Sequence, residues 1–233
     1  MSVLLLRLAG PLQSWGDASR FTQRHTRTEP TKSGVIGLLA AALGRRRTDP
    51  IEDLAALSFG VRVDQRGRIE RDFQTAIRWS DRKQESMPLS YRYHLTDAVF
   101  VAGVQGDHAL LEGLAEAVEA PHFPLYLGRR ACPPMGQLNL GVHEGDLEPC
   151  LRAAPWQAAK WYRTQQGTVV DLELALDAAP GTPLAETARD VPLSFDPVRR
   201  EYGWRDVIRP EPARITNELG RSEPDFFAAY GGA

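Results

Sequence analysis

Lysine is almost missing from this chain: three lysines (Lys32, Lys83 and Lys160) stand against 25 arginines in 233 residues. Cysteine is scarcer still. Cys132 and Cys150 supply neither a disulfide framework nor a CxxC metal knuckle, so a reducing, cytoplasmic setting is the natural expectation. His25, His108, His122 and His143 lack ligand spacing, and no zinc site, other metal or cofactor is expected. Glu112, Glu116 and Glu119 read as a solvated helix face, not as catalytic carboxylates. Long apolar runs are absent too: the longest helix-like one, Gly34 to Gly44, has 11 residues, where a membrane helix needs about 20. The start, M-S-V-L-L-L-R-L, has no basic leader or small-residue cleavage site and reads as a first strand. No membrane partner is expected.

What is present is an uneven distribution of charge on an ordinary globular composition. The net charge is only −2. Residues 1–47 nevertheless hold seven arginines and Lys32 against Asp17 and Glu29, a balance of +6. Residues 101–155 hold three arginines against seven acids, a balance of −4. One half is therefore suited to a polyanion while the rest stays neutral or faces protein. Arginine-favouring codons with ordinary solvated faces account for the composition equally well.

The stretch T-R-T-E-P-T-K-S-G-V-I-G-L-L-A-A-A-L-G (26–44) delivers a polar segment into a small-residue, apolar helix with Lys32 and Ser33 at its start. Unpaired N–H groups at a helix N-terminus form an anion site, which a lysine reinforces. The frame of a nucleotide-hydrolysing phosphate loop needs glycines at Thr26 and Thr31 and is missing. Gripping a phosphate remains open.

Periodicity predicts a buried strand over Val3–Ala9, a turn over 10–16 and a long basic loop over 17–32. A helix from Ser33 to Leu43 stops at Gly44, and a short helix over 50–57 is capped by Asp49. Phe59–Asp64 and Arg68–Ile77 read as two strands joined by the turn 65–67, with an irregular protrusion over 79–89. A strand over 97–104, a helix over 110–118 and a strand over 137–142 complete a β-α-β-β-α-β order, the ferredoxin-like arrangement. Beyond Pro149 come strands over 168–176 and 201–208 in a small β-rich appendage, with the chain frayed after Pro210.

Four stretches together resemble one family: L-L-L-R-L-A-G-P-L-Q-S-W-G (4–16), P-T-K-S-G-V-I-G-L-L-A-A-A-L-G (30–44), Y-R-Y-H-L-T-D-A-V-F (91–100) and P-L-Y-L-G-R-R-A-C-P (124–133). In this order they resemble the CasD family of type I-E CRISPR systems, the Cas family numbered five, part of the RNA-guided surveillance complex Cascade. The resemblance implies an α+β fold: a ferredoxin-like (RRM-like) palm over 1–148, a protruding β-hairpin-type thumb around 74–96, and a divergent, β-rich C-terminal part over 149–233. It also implies a non-catalytic RAMP subunit of an antiviral complex that holds and caps the 5′ handle of crRNA. The implied partners are the neighbouring backbone subunit and the large subunit, with target DNA nearby through the complex.

On that footing Lys32 and Ser33, with Thr31 before them, are candidates for a handle phosphate; the alternative is a capped helix with Lys32 solvated. Gln13, Ser14 and Trp15 leave the first strand in a turn, where Trp15 either stacks on a base or plugs the core. Arg20, Arg24 and Arg27 punctuate a loop with few acids and are assigned to phosphates. Arg92 is assigned to RNA, while Tyr91 and Tyr93, on the other face of a strand, are assigned mostly to packing. Arg129 and Arg130 suit RNA backbone or a subunit interface. The rival reading is a metal-independent endoribonuclease built on His94, Tyr93 and Lys83. It lacks the adjacent Lys-His pair of such nucleases, since Tyr93 precedes His94 and Lys83 lies eleven residues away. A protein-interaction scaffold is the third reading.

Overall fold

In a computed structural model the chain is described over residues 1–16, 22–80 and 83–221. The N-terminal part runs β1 (Ser2–Ala9), β2 (Leu12–Gln13), β3 (Gln23–Arg24), α1 (Lys32–Ala42), α2 (Glu52–Ala55) and β4 (Ser58–Gln65). The middle runs β5 (Arg68–Gln74), β6 (Ile77–Ser80), β7 (Lys83–Ser86), β8 (Ser90–Thr96), β9 (Val99–Gly106), α3 (His108–Glu119) and β10 (Asn139–Glu144). The rest is α4 (Leu147–Ala153), α5 (Lys160–Arg163), β11 (Val169–Leu172), β12 (Leu174–Ala178), β13 (Glu186–Ser194), β14 (Glu201–Ile208) and β15 (Ala213–Thr216).

Seven strands form one antiparallel sheet in the order β10-β1-β9-β4-β12-β14-β13. β1 is apolar at nearly every position because both its faces are covered. Leu4, Leu6 and Leu8 pack under α1 and α3 with Phe59, Phe100 and Val104. Val3 and Leu5 point the other way, against α4 with Val101, Leu147 and Leu151. α1 starts where Thr31 Oγ1 accepts from Gly34 N (3.2 Å) and stops at Gly44, whose φ of +78° lets Arg45 N donate to Ala40 O (2.9 Å). Asp107 caps α3 in the same manner, accepting from Leu110 N (3.1 Å).

A buried arginine holds the α4 face in place. Arg62 of β4 has no solvent exposure, and its Nε donates to Asp64 Oδ1 (2.7 Å). Its other nitrogens donate to the carbonyls of Leu151 (2.5 Å), Ala154 (2.7 Å) and Pro155 (3.0 Å). A guanidinium thus satisfies carbonyls that the end of α4 leaves unpaired. Asp64 accepts in turn from Gln157 N (2.6 Å). Burial raises the Asp64 carboxyl above its ordinary value, against the pull of Arg62.

Several expectations need correcting. The two strands read on either side of the turn 65–67 are present, the second ending at Gln74, but they do not pair with each other: β4 stays in the large sheet between β9 and β12, while β5 pairs with β8 in a second sheet that also takes β2 and β3. The protrusion contains a regular β6–β7 hairpin, with Arg78 opposite Glu85. Asp49 does not cap α2, because its carboxylate accepts from Arg46 N (2.6 Å). The run 168–176 breaks at Glu173: β11 pairs with β15, whereas β12 joins the large sheet. The C-terminal strands are therefore no appendage, since β12, β14 and β13 extend the sheet that β1 begins. Past Pro210, residues 213–216 form β15 and pair with β11 instead of fraying, while the part of that expectation beyond residue 221 lies outside the described residues.

Candidate nucleic-acid interface

The start of α1 is already neutralised from within the protein. Lys32 is 6% exposed; its backbone N donates to Asp190 Oδ2 (2.9 Å), and its Nζ pairs with Asp177 Oδ2 at 3.0 Å. An anion does sit at this helix N-terminus, but it is the carboxylate of Asp190 from β13. The phosphate role expected of Lys32 is corrected accordingly. Thr31 is the cap, and Ser33 Oγ lies 3.4 Å from Thr31 Oγ1, both buried.

Trp15 plugs the core. It has no exposure, its Nε1 donates to Gln13 Oε1 (3.0 Å), and its ring lies against Gly34, where a Cβ would come within 2.7 Å of Cε3. Stacking on a base is excluded by that burial. Gln13, equally buried, donates to Leu8 O (3.2 Å) and Ala98 O (2.7 Å), so it too belongs to the scaffold and not to RNA. Ser14 is buried and donates to Tyr93 O (3.3 Å).

Beside these residues a cleft of about 1070 Å³ opens between α1, β8, the segment 123–133 and the β13–β14 connection. Among the described residues its lining holds eight arginines (Arg24, Arg45, Arg46, Arg47, Arg92, Arg129, Arg130 and Arg200) and no carboxylate. Small residues of α1, namely Gly34, Gly37, Ala40 and Ala41, form one wall. Arg24 and Arg92 are placed opposite each other by the parallel pairing of β3 with β8. Arg129 is a clamp, donating to the carbonyls of Tyr93 (3.2 Å), Arg24 (2.8 Å) and His25 (3.3 Å). Burial, with Arg92 next, lowers its pKa from the ordinary arginine value.

Arg92 differs from its neighbours. Its Nε is buried without a hydrogen-bond partner, a condition that among the described residues it shares with Arg163 Nε, which is not in the cleft lining. Arg130, Arg46, Arg47 and Arg200 are exposed, and no salt bridge engages them among the described residues. Arg45 is partly committed through Asp53 at 2.5 Å. Arg27 bridges Trp15 and is absent from the lining, while Arg20 lies outside the described residues. Sequence reasoning missed Arg45, Arg46, Arg47 and Arg200. The first three directly follow a helix C-terminus, where cations are favourable whatever the function, and Arg200 carried no local signal.

Two members of the nuclease constellation, His94 and Tyr93, are turned apart. His94 is buried, its Nδ1 3.6 Å from Cys132 Sγ, while Tyr93 on the other strand face stacks on His25 at 4.9 Å. Tyr91 carries the Arg71 guanidinium 5.1 Å over its ring, so both tyrosines face protein. Lys83 opens β7, and its side chain lies outside the described residues. Burial first, then Arg129, holds the His94 pKa below the ordinary histidine value. The folded chain refuses a proton that the unfolded chain accepts below about pH 6.5, so this group costs stability as pH falls. The thermal midpoint of wild type should therefore drop more steeply on acidification than that of His94→Gln.

Comparison with known proteins identifies the family. The family described as CRISPR-associated protein (Cas_Cas5) matches residues 3–208. The chain is 34% identical over 224 residues to the CRISPR system Cascade subunit CasD of Escherichia coli (strain K12), covering 88% of this chain and 94% of that one. A solved structure of a CRISPR RNA-guided surveillance complex contains a chain 33% identical, with a TM-score of 0.77, covering 97% of this chain and 96% of that one. A second, a crystal structure of a Cas protein, is 39% identical with a TM-score of 0.69, covering 95% and 99%. With the family spanning most of its length, the chain belongs to the Cas5/CasD family of CRISPR-associated proteins.

Proposed function

We propose that this chain is a non-catalytic RNA-binding subunit of a type I-E Cascade complex, holding the 5′ handle of crRNA in the arginine-lined cleft. The single observation that carries the reading is the cleft itself, with eight arginines and no carboxylate among its described lining residues. Single-stranded RNA is held through its phosphates by such cations and read where bases splay against planar groups. Arg92 is the best-placed ligand because its buried Nε lacks a protein partner. Arg24 and Arg130 supply charge beside it, and Arg129 mainly fixes the wall.

The fold supports a palm-and-thumb reading. In chain order β1, α1, β4, β9, α3 and β10 follow the β-α-β-β-α-β pattern, and their strands lie side by side as β10-β1-β9-β4. The β6–β7 hairpin with the β5–β8 pair serves as the thumb around 74–96. The backbone and large subunits of the complex are the proposed protein partners, in the cytoplasm.

The test is to co-express the chain with its genomic neighbours and identify the nucleic acid that copurifies. A short RNA beginning with a repeat fragment, retained less well as salt rises, is the expected result. A log–log salt slope of about −0.7 per neutralised phosphate marks the arginine wall. An RNA-free complex, or retention indifferent to salt, sinks the reading.

A further inference from the structure

Four charged side chains close on one another at the first residue of α1. Lys32 reaches Asp177 on β12, and Arg205 on β14 donates to Asp177 Oδ1 (2.6 Å) and to both oxygens of Asp190 on β13 (2.6 and 3.0 Å). Asp177 Oδ2 also accepts from Phe59 N of β4 at 2.9 Å, and Arg205 lies 5.2 Å over the Phe59 ring. Two cations meet two carboxylates, and the Asp190 side chain is only 2% exposed. Partners on each side leave no charge uncompensated.

This cluster stands behind the cleft, not in it. Asp177, Asp190 and Arg205 are absent from its lining, yet Thr31, Ser33 and Gly34, which flank or follow Lys32, are part of it. The connection between the same C-terminal strands adds Phe195 and Arg200 to the lining. A Cβ on Gly37 would lie 3.5 Å from the Phe195 ring, so the α1 wall and the β13–β14 connection meet closely. The width of the cleft is thereby set where α1 is seated on the C-terminal strands.

We propose that Asp190 and Arg205 are positioning residues for RNA capture, seating α1 so that the cleft arginines face the same strand of RNA without themselves touching it. The inference rests on the cleft reading above. Removing the Asp190 charge leaves two buried cations, Lys32 and Arg205, sharing the single carboxylate of Asp177, and the start of α1 moves to relieve them. The cleft arginines then no longer reach successive phosphates together.

The test measures binding of a uridine dodecamer to the full-length chain against salt, for wild type, Asp190→Asn and Arg205→Lys, alongside circular dichroism. The expected result is that Asp190→Asn remains folded at the assay temperature. It should bind about tenfold more weakly, with a log–log salt slope smaller by about 0.7 for each phosphate the arginines no longer reach. Arg205→Lys, which keeps the charge but not the fork, should fall between it and wild type. Wild-type affinity and slope in both variants overturn the proposal. So does a loss of affinity that only tracks the folded fraction at unchanged slope, because a merely structural role predicts that. If Asp190→Asn does not fold, Arg205→Lys decides on the same criterion. A wild-type chain that fails to bind the oligonucleotide instead removes the cleft reading, and the positioning role with it.

Discussion

Replacing Arg62 by alanine should lower the unfolding free energy by about 3–5 kcal/mol, the range for breaking a buried ion pair from one side. Three effects act together. Asp64 is left buried without its countercharge, and burial already raises its carboxyl. The carbonyls of Leu151, Ala154 and Pro155 lose their donor at the end of α4. A side chain with no solvent exposure also leaves a cavity. Urea unfolding followed by circular dichroism measures the change through the midpoint at constant slope. Removing both charges, as Arg62→Met with Asp64→Asn, should recover part of the loss, because the orphaned carboxylate is then gone. A loss below about 1 kcal/mol for Arg62→Ala would mean that water replaces the guanidinium at no great cost.

The largest effect on RNA should come from Arg92→Glu with Arg130→Glu. Reversing two charges in a wall without carboxylates replaces two attractions with two repulsions, and the expected affinity loss at about 0.1 M salt is at least a hundredfold. Stability should be preserved or should rise slightly. Arg92 already crowds Arg129, whose pKa it helps to lower, and neither Arg92 nor Arg130 is ion-paired among the described residues. Arg129→Ala should do the reverse, costing fold stability through the three carbonyls it holds. Filter binding and thermal unfolding on the same preparations separate the two cases. Near-wild-type RNA affinity of the doubly reversed chain would place RNA elsewhere.

What could be read in advance follows from where each signal resides. β1, α1, β9 and α3 announce themselves because their apolar periodicity and caps are local, and Thr31, Gly44 and Asp107 mark ends within one turn. The four motifs were enough to place the chain in its family. Lys32 misled because its partners, Asp177 and Asp190, are 145 and 158 residues away along the chain. No local pattern reveals a carboxylate arriving from another strand, so an isolated lysine at a helix start looked free. Trp15 was ambiguous for a related reason: its socket is the missing side chain of Gly34, an approach that only the fold creates. The break at Glu173 is hidden because Leu172 and Leu174 are both buried, though in strands of different sheets.

The two outer strands of the large sheet bear on how this protein avoids its own copies. β13 changes register twice, between Ala188 and Val191 and again around Pro192, and it ends the sheet on one side. β10, on the other side, pairs with β1 across a shift between Leu4 and Leu6 and carries Gly141 at a φ of +94°. A straight, regular border invites a further strand from any exposed backbone nearby, which is the usual route to ordered aggregates. Bulges, a proline and a left-handed glycine make both borders poor templates. Association with neighbours should therefore proceed through side-chain surfaces and the projecting hairpin, while growth of the sheet from chain to chain stays blocked even when many copies are synthesised at once.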